Sequence, residues 1–166
     1  MPNWCENLLK IHGEQEALLT FKTQAEAMYP ENRFTALSLA AFYPEPAEYP
    51  KDEPDAWWHW RIKHWGTKWD VEAVLYSESS SHLEYKFDSP WSPPLGWIQK
   101  VAIDYPLLTF QLDYIEPGEW FCGTFKAQQG EITDDRYDER AYMIKYADQF
   151  GFGEIYREEE AEEEAK

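Results

Sequence analysis

The densest group of chemically capable side chains lies between Trp57 and Asp70, where the sequence is WWHWRIKHWGTKWD. Its two histidines, His59 and His64, are five residues apart. On a helix this spacing separates their side chains by about 140°, whereas two zinc ligands on one helix face are four residues apart. The segment therefore predicts no metal site.

The same segment interleaves aromatic and basic side chains, and two interpretations are open. Such a surface can stack single-stranded bases. Alternatively, Trp58, Ile62 and Trp65 follow the i, i+4, i+7 spacing of a buried helix face, with Arg61 and Lys63 covering the rings. We favour packing over recognition for this segment.

The two cysteines, Cys5 and Cys122, are 117 positions apart and form no CxxC pair. A catalytic thiolate needs a positive neighbour that lowers its pKa, but Cys5 is followed by Glu6 and lies in a predicted strand. We expect both thiols to be reduced and buried. Since no set of nucleophile, base and orienting group can be named, the sequence favours a non-enzymatic protein without a cofactor.

The net charge limits the partners. Lys and Arg total 15 and Asp and Glu total 32, which gives 15 − 32 = −17. Proteins that bind nucleic-acid backbone or anionic membrane neutralise phosphates with Lys and Arg, so neither partner is expected. Aromatic residues make up 17% of the chain, which is enough for a folded core. The sequence offers no export signal and no apolar run of about 20 residues, so we expect a cytoplasmic protein.

The elements that position these residues follow from hydrophobic periodicity. Strands are predicted at Trp4–His12, Val71–Ser79, Leu83–Phe87 and Leu107–Ile115, and helices at Glu14–Met28 and from Pro93, with Ser92 as N-cap. The order strand, helix, strand, strand, helix, strand predicts an α+β fold of the ferredoxin-like split βαβ type. In this fold two helices cover one face of an antiparallel sheet.

Residues 29–70 form a long aromatic insertion between the first helix and the second strand, with short helices predicted at Thr35–Ala41 and Pro54–Trp65. After residue 115 the pattern predicts an extra hairpin, Trp120–Ala127 with Glu131–Thr133, and a last helix capped by Asp134 or Asp135. Residues 1–156 are thus predicted to be one domain. Residues 157–166 hold six Glu, one Arg and one Lys, and we expect a solvated acidic tail.

Three motifs in order suggest a family: MPNWCEN at residues 1–7, WGTKWD at residues 65–70 and WSPP at residues 91–94. Together they resemble the YubB ferredoxin-like domain family of phage- and plasmid-borne proteins, over most of residues 1–115. The resemblance implies a ferredoxin-like fold and an accessory protein of a mobile element. It implies no catalytic residue or substrate, and two cysteines are too few for an iron–sulfur cluster, which normally needs four.

Charge and resemblance together favour an acidic protein-binding module that acts as a DNA-mimic inhibitor of a host defence or nucleic-acid-handling protein. Its partner would be a basic protein surface. The candidate acidic surface lies on the last hairpin and helix and comprises Asp113, Glu116, Glu119, Glu131, Asp134, Asp135, Asp138 and Glu139.

The alternative hypothesis is a small-molecule-binding protein or enzyme with a pocket at the Trp-rich insertion. This pocket would be lined by Trp57, Trp60, His64, Lys68, Trp69 and Asp70. A ligand bound there would raise the melting temperature by mass action.

Overall fold

Eight strands and four helices make up the fold in a computed structural model that describes residues 2–157. The strands are β1 (Trp4–His12), β2 (Ala27–Tyr29), β3 (Arg33–Thr35), β4 (Val74–Glu78), β5 (His82–Pro90), β6 (Thr109–Glu116), β7 (Phe121–Gln128) and β8 (Glu131–Tyr137). The helices are α1 (Gln15–Ala25), α2 (Ala56–His64), α3 (Leu95–Asp104) and α4 (Arg140–Phe150). The acidic tail predicted at residues 157–166 lies outside the described residues, except for Arg157.

Six strands form one sheet in the order β4-β5-β1-β6-β7-β8, and every neighbouring pair is antiparallel. Four adjacent strands of this sheet, in the order β4-β5-β1-β6, form the ferredoxin-like split βαβ unit. In this unit α1 follows β1 and α3 follows β5. The predicted fold class is therefore confirmed. The β7–β8 hairpin extends the same sheet beyond β6.

The two faces of the sheet are covered unequally. Alternate residues of a strand point to opposite faces, so Tyr114 and Ile115 belong to different cores. Tyr114 lies in the main core, which contains Phe21 of α1 and Trp97 of α3. Ile115 lies in a smaller core with Met143 of α4. The contacts of α4 are chiefly with β6 and β7. On the same face, Lys10 of β1 and Lys86 of β5 are half-buried, and Asp88 of β5 is exposed.

The insertion contains the β2–β3 hairpin and α2. The predicted helix at Thr35–Ala41 is wrong, because Thr35 ends β3 and the next amide groups bind distant acceptors. The Ser38 N–H donates to the Ala25 carbonyl, and the Leu39 N–H donates to the Asp70 carboxylate (2.6 Å). Similarly, α1 ends at Ala25 instead of Met28, since the chain enters β2.

The C-terminal elements also differ from the prediction. Asp134 and Asp135 do not cap a helix, because β8 continues to Tyr137 and pairs with β7 along its whole length. The helix α4 begins at Arg140. No helix in residues 2–157 is both long and apolar enough to cross a membrane.

Candidate functional site

The predicted acidic surface corresponds in part to β8, the last strand of the described sheet. Glu131, Asp134 and Asp135 lie on this strand, and Asp138 and Glu139 connect it to α4. All five residues are exposed. Within residues 2–157 none of them forms an ion pair, since the six ion pairs there involve other carboxylates. The structure thus has a strand edge rich in uncompensated negative charge.

Asp113 and Glu116, by contrast, are buried and cannot form part of an exposed surface. The Asp113 carboxylate is paired with Lys10 Nζ (2.8 Å) and accepts a hydrogen bond from Thr124 Oγ1 (2.6 Å). The Glu116 carboxylate accepts hydrogen bonds from the backbone N–H groups of Gly118 and Glu119 in the β6–β7 turn. Both carboxylates therefore have structural roles.

The exposed acids do not form one flat patch. Asp134 and Asp135 are adjacent on β8 and point to opposite faces. Asp134 accepts a hydrogen bond from Tyr114 Oη (3.0 Å), which is on the main-core side. Glu119 lies in the β6–β7 turn, where its carboxylate accepts a hydrogen bond from Asn3 Nδ2 (3.5 Å). Negative charge consequently lines both sides of this sheet edge.

The predicted pocket residues make several separate contacts with their neighbours. Trp60 stacks on His64 (ring centroids 4.4 Å apart), and Lys100 Nζ lies 2.8 Å from His64 Nδ1. Burial and the Lys100 charge lower the pKa of His64. Trp57 instead lies under the Arg61 guanidinium, whose own partner is Glu45 (2.7 Å).

The other three pocket candidates follow α2, and Arg61 Nη1 donates to the Lys68 carbonyl (3.3 Å). Asp70 holds the loop at residues 38–40 through Ser38 Oγ (2.6 Å) and backbone amides. Trp69 contacts Trp4 (ring centroids 6.2 Å apart), and Lys68 Nζ lies 4.9 Å from the Trp69 ring centroid. The alternative hypothesis of a pocket lined by all six residues stays a prediction.

The helical stripe predicted on α2 is only partly buried. Trp65, just after the helix, is buried and donates from its indole N–H to the Tyr43 carbonyl (2.9 Å). Trp58 and Ile62 are 39% and 40% exposed. The prediction that all three pack into the core is wrong, because Ala56 and Trp60 occupy the inner side of the helix instead.

The three sequence motifs converge on one buried polar network. Asn7 Nδ2 donates to Ser89 Oγ (2.9 Å), which donates to the Ser92 carbonyl (2.7 Å). Ser92 Oγ in turn donates to the Gly66 carbonyl (2.7 Å), so Ser92 joins two segments and does not cap α3 as predicted. Thr67 Oγ1 donates to the Pro90 carbonyl (3.0 Å). This network explains why these small polar residues accompany the tryptophans.

Cys5 lies beside this network, and Cys122 lies in the second core. Both thiols are buried and free. Burial, together with the nearby Glu116 charge, raises the pKa of the Cys5 thiol well above its ordinary value. Cys5 thus lacks the environment of a catalytic thiolate.

Three tryptophans of the motifs are exposed at the protein surface. Trp4 is 46% exposed, Trp91 45% and Trp69 36%. Trp4 and Glu6 are both on the face of the sheet opposite the main core, since Cys5 between them points into that core. Sequence analysis missed Trp4 and Glu6 as candidate site residues, although their i, i+2 spacing in a predicted strand indicated a shared face.

Comparisons with known proteins place the chain in a family. A family model described as a ferredoxin-like domain in Api92-like protein matches residues 64–165. The chain belongs to this family. The matched region includes the WGTKWD and WSPP motifs, while the first motif precedes it in β1. The family carries no established activity that could be transferred to this chain.

The chain is also similar to a curated relative and to a solved structure. It is 28% identical over 79 residues to the uncharacterised protein YubB of Escherichia coli strain K12, an alignment that covers 46% of this chain and 54% of the relative. The chain thus spans about half the length of this relative. The crystal structure of protein api92 from Yersinia pseudotuberculosis matches with a TM-score of 0.56 at 9% identity, covering 84% of this chain and 99% of that one. These matches confirm the resemblance to YubB and the ferredoxin-like fold.

Proposed function

We propose that this ferredoxin-like protein is a non-enzymatic binding module whose acidic edge strand engages a basic surface of a partner protein. We call this part of the molecule the acidic edge, defined by Glu131, Asp134, Asp135, Asp138 and Glu139. The observation that carries the proposal is that all five carboxylates are exposed and form no ion pair within residues 2–157.

The position of the acidic edge supports binding in two ways. An edge strand presents unpaired backbone N–H and C=O groups, to which an extended segment of a partner can pair. The carboxylates add an electrostatic preference for a basic partner and increase its rate of association at low salt. The only basic residue on β8, Arg136, lies over the Phe121 ring, 3.7 Å from the ring centroid.

In its specific form, the proposal is that the chain serves a phage or plasmid as an accessory protein and inhibits a host defence or nucleic-acid-handling protein. The carboxylates of the acidic edge would stand in for phosphates. The support is electrostatic: a surface that neutralises phosphates with Lys and Arg attracts carboxylates by the same charges. The net charge of −17 supports a preference for such surfaces over nucleic acid itself.

The test is a pull-down from host lysate with two variants of equal charge. The edge variant carries Glu131→Gln, Asp135→Asn, Asp138→Asn and Glu139→Gln. The control variant carries Glu48→Gln, Asp52→Asn, Glu53→Gln and Asp55→Asn, which are exposed acids before and at the start of α2. Each has a net charge of −17 + 4 = −13.

We expect the wild type and the control variant to recover the same basic protein, and the edge variant to lose it. The captured protein should dissociate at high salt and be displaced by duplex DNA. An equal loss in both variants would show that bulk charge, not the acidic edge, causes binding, and undiminished recovery by the edge variant would contradict the proposal. Binding that persists in high salt would exclude electrostatic mimicry.

A further inference from the structure

A second surface with its own chemistry lies at the start of β1, on the face of the sheet opposite the main core. Trp4 and Trp69 contact each other there with ring centroids 6.2 Å apart. Trp91 directly follows β5, and its backbone N–H donates to the Asn3 carbonyl (2.9 Å), which holds the two segments together. We call Trp4, Trp69 and Trp91, with the two carboxylates described next, the tryptophan surface. Exposed indoles in contact, as those of Trp4 and Trp69 are, typically mark binding sites.

Two carboxylates adjoin the indoles. Glu6 follows Trp4 by two residues, and its cross-strand partner in the β1–β5 register is Asp88. Like charges directly opposite each other destabilise an antiparallel pair. Within residues 2–157 neither carboxylate is in an ion pair. Burial and the Asp88 charge raise the pKa of Glu6 more than the Lys86 charge lowers it, and burial raises the pKa of Asp88. The pair therefore has no ion-pair partner among residues 2–157.

Lys86 offsets the charge of this pair only in part, because its ammonium group lies over an aromatic ring and forms no ion pair with either carboxylate. Lys86 Nζ lies 3.8 Å from the centroid of the Tyr76 ring, and Lys68 Nζ lies 4.9 Å from that of Trp69. A metal ion is a poor candidate for an ion-pair partner of these carboxylates, because residues 2–157 contain no group of three or more His, Cys, Asp or Glu side chains that could hold one. An organic cation fits both the carboxylates and the indoles.

We propose that the tryptophan surface binds an arginine side chain of a partner protein. A guanidinium group is planar, stacks on indole rings and donates two parallel hydrogen bonds to a carboxylate. A lysine ammonium is more strongly hydrated and cannot stack, so it matches this combination less well. The site does not depend on the acidic edge, since β1 is three strands from β8, or about 14 Å across the sheet.

The probe is the peptide Gly-Gly-Arg-Gly-Gly with blocked termini, titrated into the full chain while indole N–H signals are followed by NMR. Phe substitutions at single tryptophans assign the signals. We expect the signals of Trp4 and Trp69 to shift. The Glu6→Gln/Asp88→Asn variant should bind about tenfold more weakly, since a hydrogen bond to a charged group is lost. Trp4→Ala, at an exposed position, is a second variant with the same expected loss.

The matched control is Asp52→Asn/Glu53→Gln, which removes two exposed charges elsewhere and should bind as the wild type does. Replacing arginine by citrulline, its neutral analogue, should abolish the shifts, and replacing it by lysine should weaken them. Absent shifts at Trp4 and Trp69, equal binding of the citrulline or lysine peptide, or equal loss in the control variant would each overturn the proposal. The edge variant should retain peptide binding, so failure of one proposal is distinguishable from failure of the other.

Discussion

Aspartate side chains have two different roles in this molecule: a buried aspartate stabilises the fold, and an exposed one contributes surface charge. Asp113 lies on β6 beneath α4, paired with Lys10, whereas Asp135 on the edge strand faces solvent. The sequence analysis assigned both residues to one surface, because the residue type indicates the charge of a side chain but not its burial. The missing information was the position of α4, which packs on the β6–β7 face and buries the polar side of β6 there.

The cross-strand pair of Glu6 and Asp88 gives a prediction at the residue scale. The pKa of both carboxyls is raised in the folded state, so the folded state binds more protons than the unfolded state in the window above their ordinary pKa. The contribution of this pair to the stability of the wild type should therefore fall as pH rises through that window. Glu6→Gln removes one like charge and should raise the free energy of unfolding at neutral pH by about 0.2–1 kcal/mol.

Urea unfolding at about pH 4 and at about pH 7 measures this effect. The stabilisation by Glu6→Gln should be present at the higher pH and shrink at the lower one, where the wild-type carboxyls take up protons. Asp52→Asn, at an exposed site, is the control. A stabilisation that is larger at the lower pH would contradict the assigned repulsion.

At the scale of elements, the WGTKWD and WSPP motifs join α2 to α3. Gly66 has a φ of +84°, and a Cβ there would lie 2.9 Å from Gly96 N and 3.0 Å from Leu95 N. This close approach of the two helix ends places Trp65 in the core and leaves Trp69 and Trp91 at the surface. The motifs therefore specify a junction whose outer side carries the exposed indoles.

Gly66→Ala should destabilise the fold more than Gly130→Ala does. Both positions have a φ of +84°, so both substitutions strain the backbone, but a Cβ at Gly130 meets nothing within 4 Å. We expect an additional loss of about 1–3 kcal/mol at Gly66 from the steric clash. Chemical unfolding of the two variants measures the difference. Equal losses would mean that the helix junction has room for a methyl group.

The tryptophans of α2 and its C-terminal end provide a second prediction at this scale. Trp65→Ala removes a buried ring and a hydrogen bond to the Tyr43 carbonyl, so it should cost about 3–5 kcal/mol of unfolding free energy. Trp58→Ala, at an exposed position, should cost well under half as much. Denaturant unfolding compares the two variants. A similar loss of unfolding free energy at both positions would mean that Trp58 packs into the core, as the sequence spacing predicted.

The ferredoxin-like core could be predicted from the sequence because its strands alternate clearly, as Phe110, Leu112 and Tyr114 do in β6. The edge strand β8 could not, since every residue from Glu131 to Arg136 is exposed and no alternation of apolar residues results. Residues 35–41 were predicted to be helical because the distant partners of their amide groups, such as Asp70, leave no local pattern. The sequence did not predict the tryptophan surface for a similar reason. Glu6 and Asp88 are far apart in the chain and become adjacent only through strand pairing.

At the scale of the whole molecule, negative charge far exceeds what internal pairing offsets. The full chain carries −17, while residues 2–157 contain six ion pairs, of which only the Lys10–Asp113 pair has a buried member. Exposed ion pairs contribute little to stability. Self-repulsion is therefore the larger electrostatic effect on the folded state, and it acts over the entire surface.

Screening this repulsion should stabilise the protein. At about 0.15 M salt the Debye length is about 8 Å, so repulsion between distant carboxylates is largely removed while the few surface ion pairs lose little. If about 1 kcal/mol is recovered, the melting temperature should rise by about 2–4 °C relative to low salt.

The two four-charge variants separate this general effect from local recognition. Because repulsion depends on total charge, the edge variant and the control variant should both show a smaller rise in melting temperature with salt, and to a similar extent. They should differ only in partner capture. A melting temperature that falls with salt would show that ion pairs outweigh repulsion. If only the edge variant changes the salt response, the carboxylates of the acidic edge interact with charges close to them. The acidic edge would then contribute to the stability of the fold and would not be a binding surface alone.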